Sequence, residues 1–442
     1  MSAGFRLRPD ARRTLGFVSS REQEAPRSLG RQPARRATRG QVDIAATHAR
    51  PSSLRTEGRR RVLRALHENL VATRSELEQL TGLSRATVAT LTADLISAGV
   101  VEETLPSEDE LRTRRNGRPA QLLSIRASAV YAVGVDIGHQ QTRVMLCDAQ
   151  GEPVWDKAVS QDVDEMPEQT LQVASEMVNL ALDSIGPDRQ RVLGVGVGIA
   201  APVSARTGAL SSNSIMVKWD GIRPAHELSR RTGLATQLIN DANAGALAEH
   251  LYGSARGCDN VVYVRLSAGV GAGILASGRL LLGAHGLTGE VGHLEVAPDG
   301  QVCRCGNRGC LETVVTPNAI ARLLADSWGH PVTTEDLFRL LKAGNNGARR
   351  AISDAAAAVG KCIGAVINLF DPELIVVGGE LAAAGEVLFA PMMQSIHRYR
   401  MPSSDQDVRV VPGKLGDSAA ARGAAALVLA GAPERLAQSA LA

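Results

Sequence analysis

A glycine-bearing strand–turn–strand occurs twice in this chain. Ala129 to Ile137 with Thr142 to Asp148 reads as the first, and Val261 to Leu266 with Gly273 to Leu282 as the second. Strands and helices alternate after each. Met166 to Ile185 has helical spacing, and Val192 to Ile199 and Gln237 to Ile239 read as buried strands. Leu374 to Val377 is another strand, ending at Gly378-Gly379. Such a duplication points to two similar α/β lobes. Lobes whose glycine turns face each other can clamp a nucleotide or small ligand between them.

The chain ahead of the lobes has a different pattern. Val62, Leu63, Leu66 and Leu70 follow helical spacing. Thr73-Arg74-Ser75-Glu76 is a capping box, which predicts a second helix carrying Leu77 and Leu80 and stopping at Gly82. Ser84 caps a third helix, with Val88, Leu91 and Leu95 on its buried side, and Gly99 ends it. Two helices across a short glycine turn form a helix-turn-helix, whose second helix meets base edges through its first residues. Those are Ser84, Arg85, Ala86 and Thr87. Extended runs at Val100 to Leu105 and Gln121 to Ile125 enclose an acidic, then basic, loop that reads as a wing. Its end, Gly117-Arg118-Pro119, suits placing Arg118 in a narrow minor groove. A three-helix bundle with a solvated charged loop is the plainer reading.

Charge separates these regions. Residues 1–56 hold 12 Arg against 4 acids, and residues 57–126 hold 11 Arg against 10 acids. With a total of +3, the remainder is acidic. A basic front on an acidic body points to an anionic partner at the N-terminal side. Residues 1–56 lack periodicity and read as disordered; an upstream start or a loose DNA-contacting arm gives the same composition. No apolar run reaches the length of a membrane span, and the Arg-rich start has no apolar core of a secretory signal. The expectation is a cytoplasmic protein without a membrane partner.

The densest chemistry lies at His293, Cys303, Cys305 and Cys310. Three thiolates and one imidazole match a closed tetrahedral Zn²⁺ site, and the intervening glycines let the backbone wrap one ion. Four protein ligands leave no open position, so such an ion is structural. A Cys303–Cys305 redox dithiol is the competing reading. Cys147, Cys258 and Cys362 are scattered and read as inert core thiols.

Several motifs together resemble the ROK family, named for repressor, open reading frame and kinase. They are Leu266-Ser267-Ala268-Gly269-Val270-Gly271-Ala272-Gly273-Ile274, then Gly289-Glu290-Val291-Gly292-His293, the Cys303 to Cys310 segment with Leu311-Glu312, Asn240-Asp241-Ala242-Asn243, and Asp371 to Gly379. The resemblance covers roughly residues 127–432. With a winged helix in front, the chain looks like the xylose-repressor-like branch. The implied fold class is α/β: an N-terminal winged helix-turn-helix followed by a two-lobed actin-like sugar-kinase (ribonuclease-H-like) ATPase fold. The implied domains are 57–126 for DNA binding, 127–240 for lobe 1 and 241–417 for lobe 2, with a C-terminal helix in 418–442 returning to lobe 1.

In family kinases the residue matching Asp241 takes the proton of the attacking sugar hydroxyl. The resemblance assigns sugar contacts to Asn213, Asn240, Asp241, Glu290, His293 and Glu312. It assigns the nucleotide side to Asp136, Gly138, Gly269, Gly271, Gly273, Gly378 and Gly379. That side departs from the kinase pattern. The Asp-x-Gly-x-Thr turn reads Asp136-Ile137-Gly138-His139-Gln140, so Gln140 replaces the hydroxyl residue and His139 replaces a small one. Ser267-Ala268-Gly269 replaces a Gly-Thr-Gly-like turn. The expectation is a sugar-responsive repressor without enzymatic activity, acting as a homodimer or dimer of dimers on a pseudo-palindromic double-stranded DNA operator. Its effector is a monosaccharide or a derivative. The alternative is a sugar kinase, using ATP and Mg²⁺, with a regulatory DNA-binding domain. An activator, or a repressor with a protein partner, reads the same in sequence.

Overall fold

The computed structural model describes residues 54–104, 121–211, 215–402 and 408–439. Helix α1 (Leu54–Asn69) starts ahead of the boundary expected at residue 57. Val62, Leu63 and Leu66 are buried on it, whereas Leu70 falls just beyond it at φ 64°, where the chain turns into β1 (Val71–Thr73). Helix α2 (Arg74–Thr81) opens on the capping box. The Glu76 amide donates to the Thr73 hydroxyl at 3.2 Å, and the Thr73 amide donates to the Glu76 carboxylate at 2.7 Å. Gly82 ends it in the left-handed conformation at φ 67°, which glycine adopts without strain. Ser84 caps α3 (Arg85–Ser97), accepting from the Thr87 amide. Leu77, Val88, Leu91 and Leu95 are buried, and Leu80 is 54% exposed.

Strand β1 joins β2 (Val101–Thr104) and β3 (Leu122–Ile125) in an antiparallel sheet of order β1-β3-β2. The loop between β2 and β3 holds the expected wing with Arg118. It lies outside the described residues, as does the segment 1–53.

Two five-stranded sheets follow a short 3-10 turn at Ala127–Ala129. The first runs β6 (Pro153–Ser160), β5 (Gln141–Asp148), β4 (Tyr131–Ile137), β7 (Val192–Ile199), β8 (Thr236–Asn240). The second runs β11 (Arg279–Leu280), β10 (Val270–Ala276), β9 (Val261–Leu266), β12 (Leu374–Gly378), β13 (Arg409–Pro412). Each consists of three antiparallel strands extended by two parallel ones, so the duplication in sequence is a duplication of topology. One boundary moves: Gly273 to Leu282 is not one strand. Strand β10 begins at Val270, and Ser277-Gly278 turn it into β11 at φ 52° and 72°.

Helices α4 (Pro167–Ser184) and α5 (Pro224–Thr232) accompany the first sheet. Helix α6 (Asp241–Tyr252) follows β8 directly. Helices α7 (Glu312–Val315), α8 (Pro317–Trp328), α9 (Thr334–Lys342), α10 (Asn346–Phe370) and α11 (Glu386–Tyr399) accompany the second sheet. Helix α10 is long and apolar enough to cross a membrane by length and composition. Here Ala348, Ile352, Ala356, Val359 and Ile363 recur at helical spacing and pack into the core of the second sheet.

The chain closes with α12 (Ala419–Leu429) and α13 (Ala432–Ser439). Helix α12 is alanine-rich for a geometric reason. A Cβ on Gly134 of β4 would stand 1.9 Å from the Ala421 carbonyl oxygen, and one on Gly196 of β7 would stand 1.8 Å from that of Ala424. On the other side, a Cβ on Gly423 would stand 1.7 Å from the Ala244 carbonyl oxygen of α6. The helix therefore lies backbone-to-backbone on the sheet and on α6, a spacing only Gly and Ala permit. Gly423→Ala is expected to cost about 2–4 kcal/mol in urea unfolding, because the added methyl meets backbone that cannot give way. A loss below about 0.5 kcal/mol, the scale of ordinary surface changes, would show that the helices stand further apart.

Candidate functional site

The cleft is organised around the junction of β8 and α6. Asn240 is the helix cap: its Oδ1 accepts from the Ala242 and Asn243 amides at 3.0 and 3.1 Å. Asp241, the first helical residue, thereby faces the cleft. Asn240, Asp241, Glu290, His293 and Glu312, all expected as sugar contacts, line one cavity of about 30 Å³. Asn213 lies outside the described residues. Burial, with Asp241 and Glu312 facing it, pushes the Glu290 carboxyl up to about 7. Near neutral pH it is therefore able both to donate and to accept a hydrogen bond.

A loop carries the His–Cys cluster against this cavity. One ligand atom from each of His293, Cys303, Cys305 and Cys310 lies within 4.8 Å of the others. His293 Nδ1 is 3.6 Å from Cys303 Sγ, and Cys305 Sγ is 3.7 Å from Cys310 Sγ. Metal–sulfur and metal–nitrogen bonds of about 2.3 and 2.0–2.1 Å give tetrahedral edges of about 3.6–3.8 Å. The four residues therefore fit a single tetrahedral ion. The other imidazole nitrogen, Nε2, lies 3.7 Å from Glu290 Oε2. The ring thus touches the cluster on one side and the cavity on the other. Cys147, Cys258 and Cys362 are buried and apart from this cluster, and burial pushes the Cys147 and Cys362 thiols up to about 12 and about 11.

A cation at the centre of the cleft was not anticipated. Arg265 of β9 reaches Asp136 Oδ2 at 3.2 Å with one guanidinium nitrogen and Asp241 Oδ2 at 3.4 Å with the other. Asp136 is fully buried and its Oδ1 has no partner. Burial raises its pKa, with Arg265 opposing the shift. The signal in sequence was a lone Arg in the apolar run Val261-Val262-Tyr263-Val264-Arg265-Leu266.

A second unanticipated network crosses the cleft. His139 is buried in the β4–β5 turn, and its Nδ1 is 2.7 Å from Asp164 Oδ1. Arg304, between two of the cluster cysteines, contacts Asp164 at 3.2 Å and Glu312 at 3.1 Å. The His139 ring also lies against the second glycine turn. Its Nε2 lies 3.0 Å from where a Cβ of Gly269 would stand, so the ring fills the gap between the two glycine turns.

The seven nucleotide-side positions do not stay together. Gly138 and Gly269 line a second cavity of about 230 Å³, and Asp136 sits behind it on Arg265. Gly271 lines the smaller cavity. Gly273, Gly378 and Gly379 line neither, and their role is packing. A Cβ on Gly273 would stand 2.5 Å from the Ala242 carbonyl oxygen of α6, and one on Gly378 would stand 2.4 Å from the Tyr263 hydroxyl. Gly379, at φ 85°, lies against the Leu266 backbone.

At the other end, Ser84, Arg85, Ala86 and Thr87 are all exposed at the start of α3. Two of them are engaged within the helix, since Ser84 Oγ caps Thr87 and lies 2.8 Å from its hydroxyl. Arg85 is the cation on that face. Helix α13 packs on α1, and Arg64 pairs with Glu434 at 2.6 Å. One apolar core runs from Leu63, Leu66 and Leu95 through Ala132 and Met145 to Ala425, Leu429 and Leu436.

Comparison with known proteins agrees with this geometry. A xylose repressor of Caldicellulosiruptor bescii is 26% identical over 383 residues, spanning 83% of this chain and 94% of its own. A glucokinase of Thermotoga maritima is 30% identical over 312 residues, 67% of this chain and 96% of its own. The crystal structure of a ROK family transcriptional regulator, a homolog of the E. coli MLC protein, superposes with a TM-score of 0.68 at 27% identity. It covers 88% of this chain and 99% of that one. The sequence pattern of the ROK family matches residues 132–430, and the chain belongs to the ROK family.

Proposed function

We propose that this protein is a sugar-responsive transcriptional repressor, which binds an operator through α3 and leaves it when a monosaccharide enters the cleft. The observation that carries the reading is the continuous core linking the helix-turn-helix to the first lobe and to helices α12 and α13. A sugar entering this narrow part of the cleft displaces its walls. Helix α6, which begins at Asp241, lies backbone-to-backbone on α12, and α12 continues into α13 on α1. Movement of the wall therefore reaches α1 and α3. In a homodimer on a pseudo-palindrome, a small change in the spacing of two recognition helices prevents both half-sites from being met together.

The second reading, an ATP-dependent sugar kinase, is favoured by Asp241 at the cavity wall. Arg265 weighs against it. A general base must be free to accept a proton, and Asp241 is held by a guanidinium that also holds Asp136. The His139 ring also fills the space beside Gly269 where a phosphate would approach. Zinc is the ion this donor set and spacing suit. It would fix the His293 ring in one orientation and hold the loop that carries Arg304 and Glu312 beside the cavity.

Fluorescence anisotropy on the DNA upstream of the gene and its neighbours, with sugars titrated in, tests the reading. Tight binding is expected to weaken about tenfold or more with one sugar, within the usual range of allosteric coupling. Sugar-dependent ADP formation without specific DNA binding would establish the kinase instead. Arg85→Ala is expected to cost about 1–3 kcal/mol of operator affinity and leave sugar affinity unchanged. Equal loss of both would remove α3 from the DNA interface. Cys305→Ser is expected to lower metal content from about one zinc per chain toward none and to weaken sugar binding, since Zn²⁺ needs its four ligands. Wild-type protein purified without zinc would end the metal assignment.

A further inference from the structure

We infer that the effector is a neutral, unphosphorylated sugar, and that the cleft discriminates against the phosphate ester of the same sugar. This rests on the sugar-receptor reading above and concerns the charge of the space next to the sugar cavity. The two cavities share His139, Ala200, Asp241, Arg265 and Gly269, so a substituent on a hydroxyl beside Asp241 extends into the larger one. That space is rimmed by the carboxylates of Asp241, Glu380 and Asp417. Among the described residues lining either cavity, Arg265 is the single Arg or Lys.

A phosphate needs cationic partners, and the cations near this space already face carboxylates. Arg265 pairs with Asp136 and Asp241 through its two terminal nitrogens. Arg143, near Asp417, is held by both oxygens of Asp156 at 2.8 and 2.5 Å. Arg304 at the adjoining rim is held between Asp164 and Glu312, and His139 faces Asp164. Two of the turn amides are engaged as well: Gly138 donates to Gln141 and Ser267 to Gly269, each at 3.0 Å. An incoming dianion would meet three carboxylates and would have to take Arg265 from one of them, Asp241, and from the fully buried Asp136. Breaking such a buried pair is strongly unfavourable. Burial, and then the neighbouring Asp417, push the Glu380 carboxyl up, so the nearby negative charge adds to the cost of its own ionisation. A neutral sugar meets no such field, and carboxylates accept its hydroxyls well.

The test is isothermal titration of the full-length, zinc-replete protein in magnesium-free buffer. The probes are D-glucose, D-mannose and N-acetyl-D-glucosamine, each beside its 6-phosphate, with D-xylose as a neutral sugar and inorganic phosphate as an anion control. At least one neutral sugar is expected to bind, with any matching 6-phosphate weaker by about tenfold or more, since like charges at these distances repel by more than the 1.4 kcal/mol of one decade. Raising the salt, or the double substitution Glu380→Gln and Asp417→Asn, is expected to narrow that gap while leaving the neutral sugar's affinity within about twofold. An ester that binds as tightly as its parent sugar, or competition by inorganic phosphate, overturns the inference and leaves the receptor reading standing. Failure of every probe to bind overturns both.

Discussion

The contact on which the rest depends is the backbone-to-backbone seat of α12. Gly134 and Gly196 make a floor without side chains, and Gly423 opens the opposite face of the helix to α6. At these distances no side chain intervenes, so the sheet, α12 and α6 are fixed to one another with little freedom to slide. The seat has two consequences. It sets the position of Asp241, because α6 begins there. It also sets where α13 emerges, and α13 is what the first helix of the DNA-binding module packs on. Cleft and recognition helix are thus two ends of one stiff arrangement, as a sugar-controlled DNA-binding protein requires.

Charge gives the cleft its character. A guanidinium from β9, that of Arg265, faces the central carboxylates of Asp136 and Asp241. A buried charge pair stabilises little against an apolar alternative, but losing one member is costly. Arg265, Asp136 and Asp241 therefore constrain one another. The carboxylates of Asp241, Glu290 and Glu312 remain at the cavity wall, and Arg265 pairs with one of them. Arg304 makes a comparable connection at the rim, from the His–Cys loop to Asp164 across the cleft. The loop and the opposite wall thus share a contact next to the sugar positions.

Much of this was legible in the linear chain because it rests on short-range rules. The Thr73 capping box, the Gly82 turn and the Ser84 cap are local hydrogen-bond and dihedral requirements, and each forms where its residues predict. The His293–Cys310 cluster was legible because thiol spacing reports chemistry directly. Less was legible where a local signal has two physical meanings. Gly273 and Gly378 read as nucleotide-side glycines, and they also admit α6 and Tyr263 to the sheet. Leu77 and Leu80 share a helix, but Leu77 is buried and Leu80 is exposed.

The sequence alone determined the two-lobed repeat, the helix-turn-helix and the set of residues able to meet a sugar or a metal. These follow from periodicity, caps and motif spacing within a few tens of residues. Tertiary structure alone decided how the chemistry is used. Asp136 and Arg265 are 129 positions apart, His139 and Arg304 are 165 apart, and Arg64 and Glu434 are 370 apart. Such pairs are set by how sheets and helices stack, which no local pattern encodes. It is these distant pairs that partner the carboxylates, join the walls of the cleft and tie the N-terminal helices to the lobe behind them.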